Sequence, residues 1–303
     1  MQKRGIVVAI LVTALIIGLT TQESLAQGGT LRERVLKRLD TDGDGTLSRS
    51  ERSAAREAIT FDRAEEMTWS VGELKREAIV YPPKQKTVTG SPVVFGFHGH
   101  GGSARNASRS FGFERLWPEA LVVYMQGIPT PGRLTDPEGK RNGWQHDVGE
   151  QGDRDLKFFD AVLATLREKY DIDEHRVYAT GHSNGGGFTY LLWATRPDVF
   201  AAFAPSAATS RRLQELTPKP ALHIAGRNDN LVLFSWQERA IAAVKKTNGC
   251  SVNGSKWAED CTEFSSESGT PFIAYIHDGT HKYPADASPL IVRFFKEHAG
   301  GDE

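Results

Sequence analysis

The stretch that most constrains this chain is Gly181-His182-Ser183-Asn184-Gly185. It follows the apolar run Arg176-Val177-Tyr178-Ala179-Thr180 and passes through Gly186 and Gly187 into Phe188-Thr189-Tyr190-Leu191-Leu192-Trp193-Ala194. The first run has the pattern of a buried strand and the last that of a buried helix, so the residues between them must make a tight turn. Such a turn strains the backbone of the serine at its apex, and the flanking glycines leave room for strand and helix to approach each other. The Ser183 hydroxyl then stands exposed above the strand end, beside a helix N-terminus, which is where a nucleophile is useful.

Strand and helix patterns alternate on both sides of this turn. Residues 75–81, 92–97, 121–124, 200–205, 221–225 and 272–276 read as strands, the first stopped by Pro82-Pro83. Residues 156–170, 236–246 and 290–298 read as helices, with Phe159, Val162, Leu163 and Leu166 on one face of the first. This alternation predicts an α/β fold with a mainly parallel sheet covered by helices on both faces. With 303 residues and 39% apolar content, one such domain and a small appendage fit the chain. The net charge of -1 offers nothing for a nucleic acid or an anionic membrane surface to bind.

A serine hydroxyl needs a neutral imidazole to take its proton, and the imidazole needs a carboxylate to fix its tautomer. When the serine sits on such a turn, the chain order is Ser, acid, His. Of the nine histidines, His223, His277, His281 and His298 follow Ser183. His223 falls inside an apolar strand and His298 near the end of the last helix. His281 lies in a loop after a strand, where open α/β sheets place their sites, with His277 as its competitor. Asp229 occupies the equivalent loop after the 221–225 strand. Asp198, Asp260 and Asp278 are the other acids considered; Asp278 is too near His281 to orient it. The loop Phe97-His98-Gly99-His100-Gly101-Gly102 can turn backbone N–H groups towards a developing oxyanion, with the N–H groups of Asn184 and the His100–Gly101 region as donors. His98 and His100 lack a third ligand at metal spacing.

The N-terminal region carries separate signals. Lys3 and Arg4, the apolar run 6–19 and Ser24-Leu25-Ala26 form a secretory signal over residues 1–26, cut to leave Gln27. This predicts a secreted or periplasmic protein with no stable membrane insertion after cleavage. Residues 27–66 hold one EF-hand pattern: Leu31, Val35, Leu36 and Leu39 lie on one helical face and lead into Asp40-Thr41-Asp42-Gly43-Asp44-Gly45-Thr46-Leu47-Ser48-Arg49-Ser50-Glu51. Asp40, Asp42 and Asp44 supply carboxylate oxygens, Thr46 its carbonyl, Ser48 a direct or water-borne ligand, and Glu51 a bidentate carboxylate for Ca2+ in a structural role. No second loop partners it. Residues 67–74 read as a linker and 75–300 as the main domain. Cys250 and Cys261, the only cysteines, are expected to close one short disulfide loop in an exported chain.

Residues 75–298 resemble the secreted α/β-hydrolase esterases that include polyhydroxybutyrate depolymerases, feruloyl esterases and acetyl-xylan esterases. The resemblance rests on Ile79-Val80-Tyr81-Pro82, His98-Gly99, Asp171-Ile172-Asp173, the 181–187 turn, Arg196-Pro197-Asp198-Val199-Phe200-Ala201-Ala202, Asn248-Gly249-Cys250 and Gly279 to Pro284. It implies an α/β-hydrolase fold, a triad of Ser183, Asp229 and His281, and a carboxylic ester substrate, either a polymer, a polysaccharide-linked ester or a soluble fragment. It places Trp144 along the cleft. Tyr283-Pro284 stands where the family usually has Trp-Pro, and Asn230 follows the acid, so Tyr283 and its surroundings are expected to shape substrate choice. A serine peptidase on the same fold and an inactive calcium-dependent binding protein are the alternatives.

Overall fold

Runs such as Ser91–Phe97 and Leu121–Met125 are buried at every residue, which suits strands covered on both faces. A computed structural model describes residues 40, 43–51, 64–85 and 87–299. The chain divides into Met1–Ala64 and Glu65–Glu303. The strands of the second unit are β1 (Glu65–Val71), β2 (Leu74–Tyr81), β3 (Ser91–Phe97), β4 (Leu121–Met125), the short pair β5 (Ile128–Pro129) and β6 (Asn142–Gly143), β7 (Ile172–His182), β8 (Ala202–Ser206), β9 (Ala221–Gly226), β10 (Ser255–Ala258), β11 (Cys261–Phe264) and β12 (Phe272–His277). Its helices are α1 (Ala104–Phe111), α2 (Phe113–Leu116), α3 (Arg154–Lys169), α4 (Asn184–Thr195), α5 (Phe234–Thr247) and α6 (Ala287–Glu297).

Ten strands form one sheet in the order β1-β2-β4-β3-β7-β8-β9-β12-β11-β10. The central run from β4 to β12 is parallel throughout. Antiparallel strands close both edges. Alternate residues of a strand face opposite sides, so aromatic contacts show which helix lies where. Phe95 and Phe97 of β3 meet Phe159 of α3 and Phe188 of α4 at centroid separations of 4.9 and 5.0 Å. On the other face, Gly96 leaves room for Phe111 of α1 and the ring of Tyr124. Tyr178 of β7 stacks on Phe295 of α6 at 4.6 Å. Full burial of each such side chain contributes about 1.5–3 kcal/mol. The expected parallel sheet with helices on both faces is the one observed.

Residues 67–74 are not a linker. They form most of β1 and its turn into β2, and Met67, Trp69 and Val71 pack on the core while their neighbours face outwards. The alternation of Glu66-Met67-Thr68-Trp69-Ser70-Val71 is a strand period. The expected disulfide is also absent: Cys250 and Cys261 are free thiols. Cys261 opens β11 opposite Tyr275, whereas Cys250 is bridged to Ser266, just beyond the far end of that strand. The five residues from Cys261 to Ser266 span about 16 Å at roughly 3.3 Å per residue, against a limit of about 7 Å between bridged Cα atoms. The 250–261 segment spends its length on the β10–β11 hairpin.

In the first unit, Asp40 accepts from the N–H groups of Gly43 and Gly45 at 2.7 and 2.8 Å. Asp44 Oδ1 accepts from the Thr46 N–H and hydroxyl, and Glu51 Oε2 accepts from Ser48 N–H. The signal segment, the helix expected before Asp40, Asp42 and the helix expected to run on towards Ile59 lie outside the described residues. No helix among the described residues is long and apolar enough to cross a membrane.

Candidate active site

β7 ends at His182 and α4 begins at Asn184, leaving Ser183 alone at the turn with φ 59° and ψ -121°. A serine pays a steric penalty for positive φ. Two hydrogen bonds hold it there: Ser183 N–H donates to Ser206 O at 2.8 Å, and Gly187 N–H donates to Ser183 O at 2.9 Å. The glycines are required by contact. A Cβ on Gly181 would lie 2.4 Å from Gly185 O, and one on Gly185 only 2.2 Å from Phe97 O.

The structure brings Ser183, His281 and Asp229 together. His281 Nε2 lies 2.7 Å from Ser183 Oγ, and His281 Nδ1 lies 2.8 Å from Asp229 Oδ2. Nδ1 faces a carboxylate, so it carries the proton, which leaves Nε2 to accept from the serine hydroxyl. The Asp229 side chain is fully buried. Its Oδ1 accepts from the N–H groups of Leu231 and Val232, and its Oδ2 also accepts from Gln237 Nε2 at 3.1 Å. The competing residues lie elsewhere. His277 Nδ1 accepts from Gly279 N–H, Asp278 sits 3.4 Å from Arg227, Asp260 turns the β10–β11 hairpin, and Asp198 lies in a short turn after α4. His223 is buried against the Tyr190 hydroxyl.

His182 positions the imidazole from behind, a role that its place inside the glycine motif did not reveal. Its Nε2 faces the His281 carbonyl at 2.8 Å, and its Nδ1 faces Ser206 Oγ at 3.1 Å. Burial, helped by the neighbouring His281, lowers its pKa to about 4, so it stays neutral and donates to that carbonyl. His98 is likewise lowered to about 4 by burial. It accepts from Gly127 N–H and fixes the turn that carries His100.

The oxyanion donors become narrower. Gly101 N–H is taken by Asn142 O at 2.6 Å, whereas among the described residues the N–H groups of His100 and Asn184 meet no acceptor. The turn passes close to the serine, because a Cβ on Gly99 would lie 3.5 Å from Ser183 Cβ. The His100 ring itself is held by Asp136, 3.0 Å from Nε2. That bond and the Arg141 and Lys140 N–H groups lower the Asp136 pKa to about 2.

Trp144 and Tyr283 do not reach the cleft. Trp144 is fully buried, stacks on Phe188 and donates from Nε1 to His98 O at 2.9 Å. Its backbone is paired both ways with the Asn184 side chain, at 2.7 and 3.0 Å, which steadies the start of α4. The segment is anchored further by Gln145, whose N–H donates to Asp155, itself paired with the fully buried Arg76 at 2.7 Å. Tyr283 packs on Phe111 at 4.7 Å and bonds Ser288. A sequence contains no local mark of which side of a loop an aromatic ring will take.

The cleft in front of Ser183 encloses about 510 Å³, within the roughly 300–1,000 Å³ typical of small-ligand sites. Such an arrangement can move the serine proton to His281 and place two N–H groups near a tetrahedral oxygen. No group of three or more potential metal ligands occurs among the described residues. The carboxylates of Asp40, Asp44 and Glu51 are hard oxygen ligands of the kind that calcium takes.

The model of the prolyl oligopeptidase family matches residues 139–219. The probable feruloyl esterase C of Aspergillus clavatus is 28% identical over 209 residues, 66% of this chain and 71% of that protein. The probable feruloyl esterase C of Aspergillus flavus is 30% identical over 209 residues, covering 66% and 72%. Among solved structures, the acetyl xylan esterase from Aspergillus awamori superposes with a TM-score of 0.62 at 14% identity, over 77% of this chain and 98% of that one. The fold is that of the α/β-hydrolases. The chain belongs to the family of these feruloyl esterases.

Proposed function

We propose that the protein is a secreted or periplasmic serine hydrolase of carboxylic esters. The observation that carries this reading is the single imidazole that bridges Ser183 Oγ and a buried, four-times hydrogen-bonded Asp229 carboxylate. Ser183 attacks the ester carbonyl while His281 takes its proton, and the oxyanion rests on the N–H groups of Asn184 and His100. His281 then protonates the departing alcohol. Water, deprotonated by His281, attacks the acyl-enzyme and releases the acid. Feruloyl, acetyl-xylan and hydroxyalkanoate esters are the candidate substrates. Leu231, Val232 and Trp236 give the cleft an apolar wall for the acyl part. In the N-terminal unit, Asp40, Asp42, Asp44, Thr46, Ser48 and Glu51 hold a structural Ca2+.

The test compares methyl ferulate, acetylated xylan and a 3-hydroxybutyrate oligomer, with and without excess calcium chelator. Turnover of one ester that falls by about 10⁴-fold or more in Ser183→Ala is expected. The chelator should lower the melting temperature more than it lowers kcat. Hydrolysis of amide substrates but no ester would move the protein to the peptidase alternative.

A further inference from the structure

Besides the apolar residues of the cleft, three arginines contribute to its lining. Arg133 and Arg141 reach it from the loop between β5 and β6, and Arg211 from the segment after β8; no Asp or Glu is among the lining residues. Arg133 lies 2.5 Å from Glu150 and Arg141 3.8 Å from Asp136. Arg211 differs: among the described residues it has no carboxylate partner and donates no hydrogen bond. Its neighbour Arg212 is tied to Asp147 and, at 2.5 Å, to Glu215. These bonds fix the segment and leave Arg211 as the uncompensated charge beside the cleft. The segment starts at Ala207, with φ 48° and an N–H donated to Ile224 O at 2.8 Å, so its path is set by the sheet.

An exposed arginine is ordinarily a solvated surface charge, and the fold gains little from it. Here it shares with Ser183 a cavity that has no acidic side chain in its lining. A guanidinium presents a planar fork that matches a carboxylate. We propose that the cleft takes esters that bear a carboxylate away from the scissile bond, bound by Arg211. This rests on the ester-hydrolase reading above and names its substrate class.

The charge could sit on either half of the ester, and two matched pairs separate the cases. Monomethyl glutarate against methyl 4-carbamoylbutanoate places it on the acyl half. 3-Acetoxybutyrate against 3-acetoxybutanamide places it on the alcohol half. In at least one pair the carboxylate should be favoured by about tenfold in kcat/KM at low salt. The preference should shrink at about 0.5 M salt and approach unity in Arg211→Gln. Neutral esters hydrolysed as fast as their charged partners, or a preference that survives Arg211→Gln, would overturn this inference alone. No turnover of any ester, methyl ferulate included, would overturn it together with the reading beneath it.

Discussion

Gly185 and Gly187 stand two residues apart on the same helix, yet their surroundings are opposite. A Cβ at Gly185 would lie 2.2 Å from a β3 carbonyl, whereas the nearest atom to one at Gly187 is 3.8 Å away. The same contrast separates the serine turn from the cleft walls. The turn is clamped between β3, β7, β8 and α4. The walls come from residues 132–141, 207–211 and 231–236, segments beyond the ends of the strands. The surroundings of Ser183 are therefore set by the packed core, whereas the lining of the cleft in front of it comes largely from loops.

That contrast can be broken experimentally. Gly185→Ala forces backbone against backbone, and should cost about 3 kcal/mol or more, read as a large fall in the denaturation midpoint with loss of ester turnover. Gly187→Ala should leave the midpoint unchanged or raise it by up to about 1 kcal/mol through helix propensity. Equal effects at the two sites would mean that the turn is not clamped as described. A smaller effect sharpens the other side. Leu134 lines the cleft yet is 53% exposed. Leu134→Ser should raise KM for an apolar ester by a few-fold, about 1 kcal/mol of lost apolar contact, with kcat and melting temperature nearly unmoved. A kcat loss as large as that of a triad variant would show that this wall orders the reacting groups as well.

The same division explains what could be read from the chain. The Ser183 turn, the loop positions of Asp229 and His281 and the parallel core strands are written locally, as short apolar runs broken by glycine or acid. The N–H of Asn184 follows directly from the position of Ser183. The supports were hidden, because they depend on contacts between different elements that no local pattern marks. Gln237 reaches Asp229 from α5, His182 holds the carbonyl of a residue 99 positions away, and Arg76 meets Asp155 across the fold. Trp144 and Tyr283 show the converse error: an aromatic residue in a motif-bearing loop can serve the core as readily as the ligand. The cysteines mislead for another reason, since closeness in sequence is undone by a hairpin that extends the chain between them. β1 is also legible, because the period-two alternation from Glu66 to Val71 is plain once residues 67–74 are not taken as a linker.

The most direct test of the central claim is covalent labelling with diethyl p-nitrophenyl phosphate, followed by peptide mass analysis. The hydroxyl activated by His281 should take up one diethylphosphoryl group, found on the peptide that carries Ser183, in step with loss of ester turnover. Labelling should vanish in Ser183→Ala and slow by several orders of magnitude in a folded His281→Ala. Inactivation with the phosphoryl group on another residue, or ester turnover that persists once Ser183 is fully labelled, would contradict the account.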